Sequence, residues 1–176
     1  MNGKIILETE RLILREMTGA DLPALCRILC DEEVMRAAYE SAFTEQEAPG
    51  WLERHLKRYE NFGFGLWAAV LKETNEMIGQ CGITWQEWNG EPLLEIGYLF
   101  QKAHWHKGYA AEAAAACRDY AFEVLHADRV YSMIRDTHIS SQKVAERIGM
   151  RVIDRAVKRF RGVDMMFYLF CAERES

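Results

Sequence analysis

Apolar positions along the chain follow two periods, and the switches between them divide it into elements. Residues 5–16 read as a strand carrying Ile5, Leu7, Leu12, Ile13 and Leu14 and ending on Arg15-Glu16. Thr18 and Asp21 have the spacing of a capping box, and Pro23 suits a first helical turn. Leu22, Leu25, Cys26 and Leu29 then recur at helical spacing, which predicts a helix to about Cys30. Residues 31–43 are mixed and read as loop. Thr44 with Glu47 repeats the capping signal, but Pro49-Gly50 disturbs the first turns, so the next helix begins near Pro49 or kinks there. Trp51, Leu52, His55, Leu56, Tyr59 and Phe62 form its apolar stripe.

Gly63 and Gly65 end that pattern, and a meander follows. Leu66–Leu71 is a strand, Thr74-Asn75-Glu76 a turn, and Met77–Gln86 the partner strand. Asn89-Gly90 is a strong hairpin signal, and Leu93–Phe100 is the third strand. Leu94, Ile96, Tyr98 and Phe100 share one face; Leu93, Glu95, Gly97 and Leu99 share the other. Beyond Gln101–His106, Gly108 opens a long helix with Tyr109, Ala113, Cys117, Tyr120, Ala121 and Val124 on one face. Arg129–Ile134 is a strand and Ser140–Ile148 a short helix closed by Gly149. Met150–Arg161 and Met165–Cys171 are strands around Arg161-Gly162-Val163-Asp164. The order is β-α-α-β-β-β-α-β-α-β-β. The later β–α–β segment needs a crossover and so implies a parallel pair. The expected architecture is a mixed α/β (α+β) sheet flanked by helices, with no repeat, linker or boundary dividing residues 1–176.

Composition narrows the function. The 176 residues are 49% apolar and 28% charged, a balance that supports a sizeable core. The net charge of −5 and the lack of a basic stripe argue against a nucleic-acid partner and mildly favour a cationic substrate such as an amine. Glu8 interrupts the N-terminus too early for a signal peptide, and no apolar run approaches the roughly 20 residues that span a bilayer. No membrane partner is therefore expected. The five cysteines, Cys26, Cys30, Cys81, Cys117 and Cys171, are scattered, and none forms a Cys-x-x-Cys pair. They read as buried small apolar side chains in a reducing compartment, which places the chain in the cytoplasm. A homodimer is left open.

The sharpest chemical feature is the strand ending at Phe100, the segment Gln101-Lys102-Ala103-His104-Trp105-His106-Lys107-Gly108-Tyr109-Ala110, and the helix after it. A strand feeding a glycine turn at a helix N-terminus is a natural anion site, because the first-turn N–H groups are free and the helix dipole adds positive potential. Lys107 would add a full charge. Neither the P-loop nor the dinucleotide fingerprint is present. A plain strand–loop–helix corner would have the same pattern.

Trp-His-Lys-Gly-Tyr-Ala-Ala-Glu-Ala at 105–113 resembles the acetyl-CoA pyrophosphate motif of the GNAT acetyltransferases, whose core is Arg/Gln-x-x-Gly-x-Gly/Ala. Trp105 takes the first position, as in the branch that resembles ribosomal-protein N-terminal acetyltransferases. Three further segments are similar to that branch in the same order: Leu7–Arg15 to its opening strand, Leu94–Tyr98 to its fourth strand and Ser141–Met150 to its last helix. The resemblance implies a splayed central sheet with acetyl-CoA, a co-substrate, lying between the fourth and fifth strands. Pantetheine would pair with the backbone of Leu99, Phe100 and Gln101, and pyrophosphate would sit on the amides of His106, Lys107, Gly108, Tyr109 and Ala110. An amine would attack the thioester directly. The sequence departs from the pattern at His106, where Gly is frequent, at Lys102, where Pro is common, and at His138, where an Asn commonly bonds pantetheine or substrate.

Direct transfer needs a neutral amine and a donor for the leaving thiolate. Glu95 is the candidate base, matching the family position; a half-exposed surface carboxylate is the alternative. Ser141 could donate to the departing sulfur or cap its helix. His138 could hydrogen-bond pantetheine or titrate near pH ~6.5. Tyr98 and Tyr109 read as packing. His104 and His106 lack a third ligand nearby, so no metal is expected. Trp51, Trp85 and Trp88 line an acceptor pocket or belong to the core. The function expected is an acetyl-CoA-dependent N-acetyltransferase acting on a small-molecule or peptide amine: a protein N-terminus, a polyamine, an amino acid or an aminoglycoside. The alternatives are a non-catalytic acyl-CoA sensor or interaction module, and an unrelated nucleotide-binding α/β protein.

Overall fold

Eight strands form a single sheet in the order β1-β2-β3-β4-β5-β6-β8-β7, in a computed structural model that describes residues 3–175. The strands are β1 (Ile5–Glu8), β2 (Leu12–Arg15), β3 (Leu66–Leu71), β4 (Glu76–Trp88), β5 (Glu91–Phe100), β6 (Arg129–Arg135), β7 (Arg151–Phe160) and β8 (Val163–Glu173). The helices are α1 (Leu22–Leu29), α2 (Glu32–Tyr39), α3 (Ala48–Phe62), α4 (Tyr109–Glu123) and α5 (Ile139–Arg147). The mixed α/β architecture with flanking helices is the one expected. The parallel pair is β5–β6, joined by the α4 crossover.

While β7 at the edge is largely exposed, helices cover both faces of the central strands. On one, Ala113, Ala114, Cys117 and Ala121 of α4 and Ala145 of α5 pack on Leu12, Leu14, Trp67, Ile78 and Ile96. The alanines carry so little side chain that α4 can lie close to the strands. On the other, Leu25, Ile28 and Leu29 of α1, Val34 and Met35 of α2 and Leu52 of α3 cover Leu66, Ala68, Val70 and Leu99.

Three expectations need correction. Residues 5–16 form two antiparallel strands, because Thr9 makes a tight turn in which its Oγ1 accepts the Leu12 N–H at 3.0 Å. Residues 31–43 contain α2, whose N-cap Asp31 accepts from the Glu33 and Val34 N–H groups. Val124, assigned to the apolar face of α4, is its C-cap and is exposed. Pro49 falls within the first turn of α3, where its missing N–H costs nothing, so the helix starts at Ala48. Asn89-Gly90 forms the expected hairpin turn, with both residues at positive φ. Among the described residues no helix is long and apolar enough to cross a membrane.

The site is positioned by a failure of pairing. β4 pairs with β5 along its whole length, from Glu91 to Phe100. β5 and β6 pair only at Glu95↔Tyr131, with two side-chain ties beside it: Ser132 Oγ donates to the Ile96 carbonyl at 2.8 Å, and the Met133 N–H donates to the Glu95 carboxylate at 3.2 Å. Past that point the strands part, and the N-terminal turn of α5 approaches β5, where the Tyr98 hydroxyl donates to the Ser141 carbonyl at 2.9 Å. The edge of β5 from Gly97 onward therefore faces an opening in the sheet.

Candidate active site

The opening holds a cavity of about 370 Å³ between the end of β5, the turn before α4 and the first turns of α5. His106 and Gly108 in that turn both have positive φ, 59° and 82°. Glycine takes this conformation freely; a histidine there is held at some cost. The frequent family Gly at 106 thus has a backbone explanation, and His106 keeps the turn while adding an imidazole to the cavity wall. The N–H groups of His106, Lys107 and Gly108 find no acceptor among the described residues. They join the unbonded first-turn amides of α4 in a cradle of donors suited to an anion.

A polar clamp fixes that cradle. Glu112, in the first turn of α4, accepts from Thr9 Oγ1 at 2.6 Å, from the Arg11 N–H at 2.8 Å and from Arg11 Nε at 2.7 Å. Arg11 also donates to the Lys107 carbonyl at 2.9 Å, and its guanidinium covers the Tyr109 ring at 4.4 Å. Burial alone would raise the Glu112 pKa, but the bonds from Thr9 and Arg11 hold it below the usual value. The carboxylate beside the cradle is therefore neutralised by Arg11 and does not oppose an anion.

Deeper in the opening, a second and smaller space of about 60 Å³ shares Tyr98, Leu99, His138 and Ser141 with the first and adds Glu95 and Tyr39. Glu95 stands at the last β5–β6 pair, and its carboxylate accepts the Met133 N–H at 3.2 Å. Desolvation raises its pKa to about 7, against the opposing pull of the Met133 bond and the Arg58 and Lys158 charges. A carboxyl poised there is half ionised near neutrality and matched to proton abstraction. Ser141 is buried, and its Oγ donates to the Tyr98 hydroxyl at 3.0 Å. Burial raises the Tyr98 pKa, with the Ser141 bond opposing, so the phenol keeps its proton at neutral pH. His138 is the N-cap residue of α5 and lines both spaces. Burial and then the Arg135 charge lower its pKa, which leaves it a neutral imidazole at pH 7.

The opening thus brings together Glu95, Ser141, His138, Leu99, Phe100, Trp105, His106, Gly108, Tyr109 and Ala110 from the expected set. Gln101 does not line it, and Lys107 adds its unbonded N–H to the cradle without lining the cavity. The Gln101 N–H is bonded to the Ile78 carbonyl and its side chain to the Met77 carbonyl, both at 2.9 Å. Trp105 lines the cavity while its Nε1–H donates to the Phe100 carbonyl at 2.9 Å, bracing the strand end against the turn. Ser141 makes no helix-capping bond, because His138 holds the N-cap position. Lys102, in place of the common Pro, reaches Glu33 of α2 at 2.6 Å. Trp88 is core and bonds Asp154, Trp85 is exposed, and Trp51 packs on Tyr39, Phe43 and His55.

Sequence reasoning placed Tyr98 and Tyr109 in packing roles and missed Tyr39, Arg11 and Glu112 altogether. Only the clamp left a trace: an acidic residue in the first turn of a helix thought to bind an anion is a local contradiction, and it calls for a cation partner.

The arrangement can hold an extended chain against the free edge of β5, an anionic group on the cradle and an amine near Glu95. The family model described as an acetyltransferase (GNAT) domain matches residues 11–151. Over 150 residues the chain is 35% identical to the uncharacterized protein YkkB of Bacillus subtilis, spanning 85% of this chain and 87% of that one. It is 31% identical over 146 residues to the uncharacterized N-acetyltransferase YnaD of the same organism, with 82% of each chain covered. Among solved structures, the apo form of RimL, a ribosomal L7/L12 alpha-N-protein acetyltransferase, matches with a TM-score of 0.81 over 98% of this chain and 95% of that one. At 16% identity that likeness is one of fold.

Proposed function

The chain belongs to the GNAT acetyltransferase family, and from that premise we propose that it moves an acetyl group from acetyl-CoA to a primary amine by direct attack in a ternary complex. The observation that carries this reading is Glu95, a carboxyl with its pKa raised to about 7 by burial, in a space that shares Tyr98, Leu99, His138 and Ser141 with the larger cavity. Acetyl-CoA fits the residues present. The free edge of β5 suits an amide-bearing arm, and the N–H cradle before α4 suits a diphosphate.

In this mechanism the amine nitrogen bonds to the thioester carbonyl carbon and gives up a proton to Glu95, directly or through a water. The carbon–sulfur bond then breaks. The Tyr98 hydroxyl, turning from the Ser141 carbonyl that it bonds in the resting fold, supplies a hydrogen bond to the departing sulfur, which leaves as a thiolate and takes its proton from solvent. Glu95 and Tyr98 lie three residues apart on β5 and so project from opposite faces of the strand, which keeps the base and the donor to sulfur from competing for one position. An α-amino group, with a pKa of about 8, supplies its neutral form more readily than a lysine side chain at about 10.4. This favours a protein N-terminus or a small α-amine over a side-chain lysine; a polyamine remains within the same chemistry.

The test is an acetyl-CoA-dependent thiol-release assay over amines and N-terminal peptides, run beside thermal melts. Acetyl-CoA should raise the melting temperature, and at least one amine class should release thiol in proportion to acetylated product. Stabilisation by acetyl-CoA without turnover of any amine would instead favour the acyl-CoA sensor.

A further inference from the structure

α3 carries a cation that takes no part in the ion pairs formed among the described residues. Arg58 is half-buried, yet no carboxylate among the described residues lies within salt-bridge distance of it. Its only side-chain partner among the described residues is His55 Nδ1 at 3.5 Å. That imidazole already accepts the Leu66 N–H at 3.4 Å, and burial followed by the Arg58 and Arg54 charges lowers its pKa to about 3, so it is neutral. The neighbour one turn earlier, Arg54, is another cation. Arginines elsewhere on this side of the protein are paired, Arg135 with Glu40 and Arg161 with Glu47. Keeping a guanidinium half out of water without an anion is costly, which marks the position as one that a ligand completes.

The surroundings point Arg58 toward the amine side of the opening. Its stem packs over Gly65, 3.4 Å from where a Cβ would stand there. Beside Gly65, Leu66 pairs with Gly82, and Gly82 pairs with Gly97. The Gly65 backbone fills the space over Gly82, and the Leu66 side chain lies over Gly97, where a Cβ would stand 3.4 Å from Leu66 Cδ2 and 3.8 Å from the Glu95 carboxylate, so the Arg58 stem and Glu95 flank Leu66 on one face of the sheet. Two inter-strand spacings, about 10 Å, separate Leu66 from Gly97. The aromatic wall runs the same way: His55 contacts Trp51 at 5.2 Å between ring centroids, and Trp51 meets Tyr39 at 6.3 Å, the residue that lines the smaller space with Glu95. The Arg58 charge is felt by both Glu95 and Tyr39.

We propose that Arg58 is a specificity-determining residue that binds an anionic group on the acceptor, so that the preferred substrate is an amine carrying a carboxylate or similar acid a few bonds away, its nitrogen toward Glu95 and its anion toward Arg58. This rests on the acetyl-transfer reading above. Two sources supply that chemistry: a free α-amino acid, through its own carboxylate, and a peptide whose first residue is acidic. The same site accounts for a half-buried charge that the resting fold does not satisfy.

The experiment measures kcat/KM by thiol release with acetyl-CoA for matched acceptors: free amino acids against their carboxamides, and peptides beginning with Asp against the same peptides beginning with Asn. The full-length wild type should favour the anionic member of at least one pair by tenfold or more, and the pair showing it identifies the source. In Arg58→Gln that ratio should collapse toward one, mainly through a raised KM for the anionic member, and Arg58→Lys should restore part of it. Equal use of charged and neutral members by the wild type, or an Arg58→Gln variant that keeps the ratio, overturns the proposal while leaving acetyl transfer intact. Acetyl-CoA turnover with no amine at all overturns both.

Discussion

On the α4 side of the opening the hydrogen-bonding groups left unused are those of the backbone: the free edge of β5, the positive-φ turn at His106 and Gly108, and the unbonded N–H groups at the start of α4. On the α2–α3 side the wall is mostly side chains drawn from separate elements: Tyr39, Glu95 and Met133 around the smaller space, with Arg58 beyond. The two walls differ in what they tolerate. A backbone donor is supplied by any residue that can hold the conformation, so the first wall accepts His at 106 and Lys at 102 without losing its geometry. A side-chain wall changes chemistry with every substitution. One wall can therefore serve a fixed co-substrate across relatives, while the other can be retuned for a different amine.

The harshest way to break the comparison is to remove Glu95, the group on the side-chain wall proposed to take the proton. Glu95→Gln should lower kcat by roughly 10²–10⁴-fold at neutral pH. Because burial raises this carboxyl to about 7, its basic form grows as pH rises through that value, and wild-type activity should fall on the acid side of it. The variant should lose that acidic limb, and its deficit should narrow as pH nears the pKa of the amine. A small loss independent of pH would show that Glu95 only orients its surroundings.

An intermediate effect is expected from the backbone wall. Gly108 sits at φ 82°, with Arg11 3.3 Å from where a Cβ would stand. Gly108→Asp adds strain and places a negative charge beside the cradle. A ligand at a hundred times its Kd stabilises the fold by about 2.7 kcal/mol, and the variant should lose that gain in thermal melts with acetyl-CoA. If a well-folded Gly108→Asp protein keeps the full shift, the anion sits elsewhere and the cradle is only a helix start.

The same contrast explains what the sequence disclosed. The meander, the α4 crossover and the last hairpin were legible because period, Asn89-Gly90 and Arg161-Gly162 mark them locally. The backbone wall was legible for the same reason, since a glycine turn between a strand and a helix is a contiguous pattern. α2 was missed because its inward residues, Val34, Met35, Ala38 and Tyr39, span barely two turns between charged neighbours, although Asp31 carries a cap. The turn at Thr9 was missed because it contains neither Gly nor Pro and is closed by a side-chain bond. Tyr98 was read as packing because its partner Ser141 is 43 residues away. Arg58 gave no signal, since an unpaired charge is a property of the folded surroundings. Net charge even pointed the other way: an overall −5 favoured a cationic substrate, while the local field on α3 is positive.

His138 touches both walls, and its substitution should have the smallest effect. It lines the larger cavity and the smaller one, so it could act as a donor to the pantetheine arm or as a titrating group. Burial and the Arg135 charge both lower its pKa, so the imidazole is already neutral where the enzyme works and adds no ionisation of its own near pH 7. A neutral imidazole offers one donor and one acceptor, and an Asn side chain offers both as well. His138→Asn should therefore keep most of kcat and leave the acidic limb where Glu95 sets it, while His138→Ala should raise the KM for acetyl-CoA because the bond to the arm has no replacement. Steady-state rates over pH 5.5–9 for both variants decide it. Should His138→Asn abolish the acidic limb together with most of kcat, the proton acceptor is the histidine, and the carboxyl at Glu95 belongs to the surroundings that tune it.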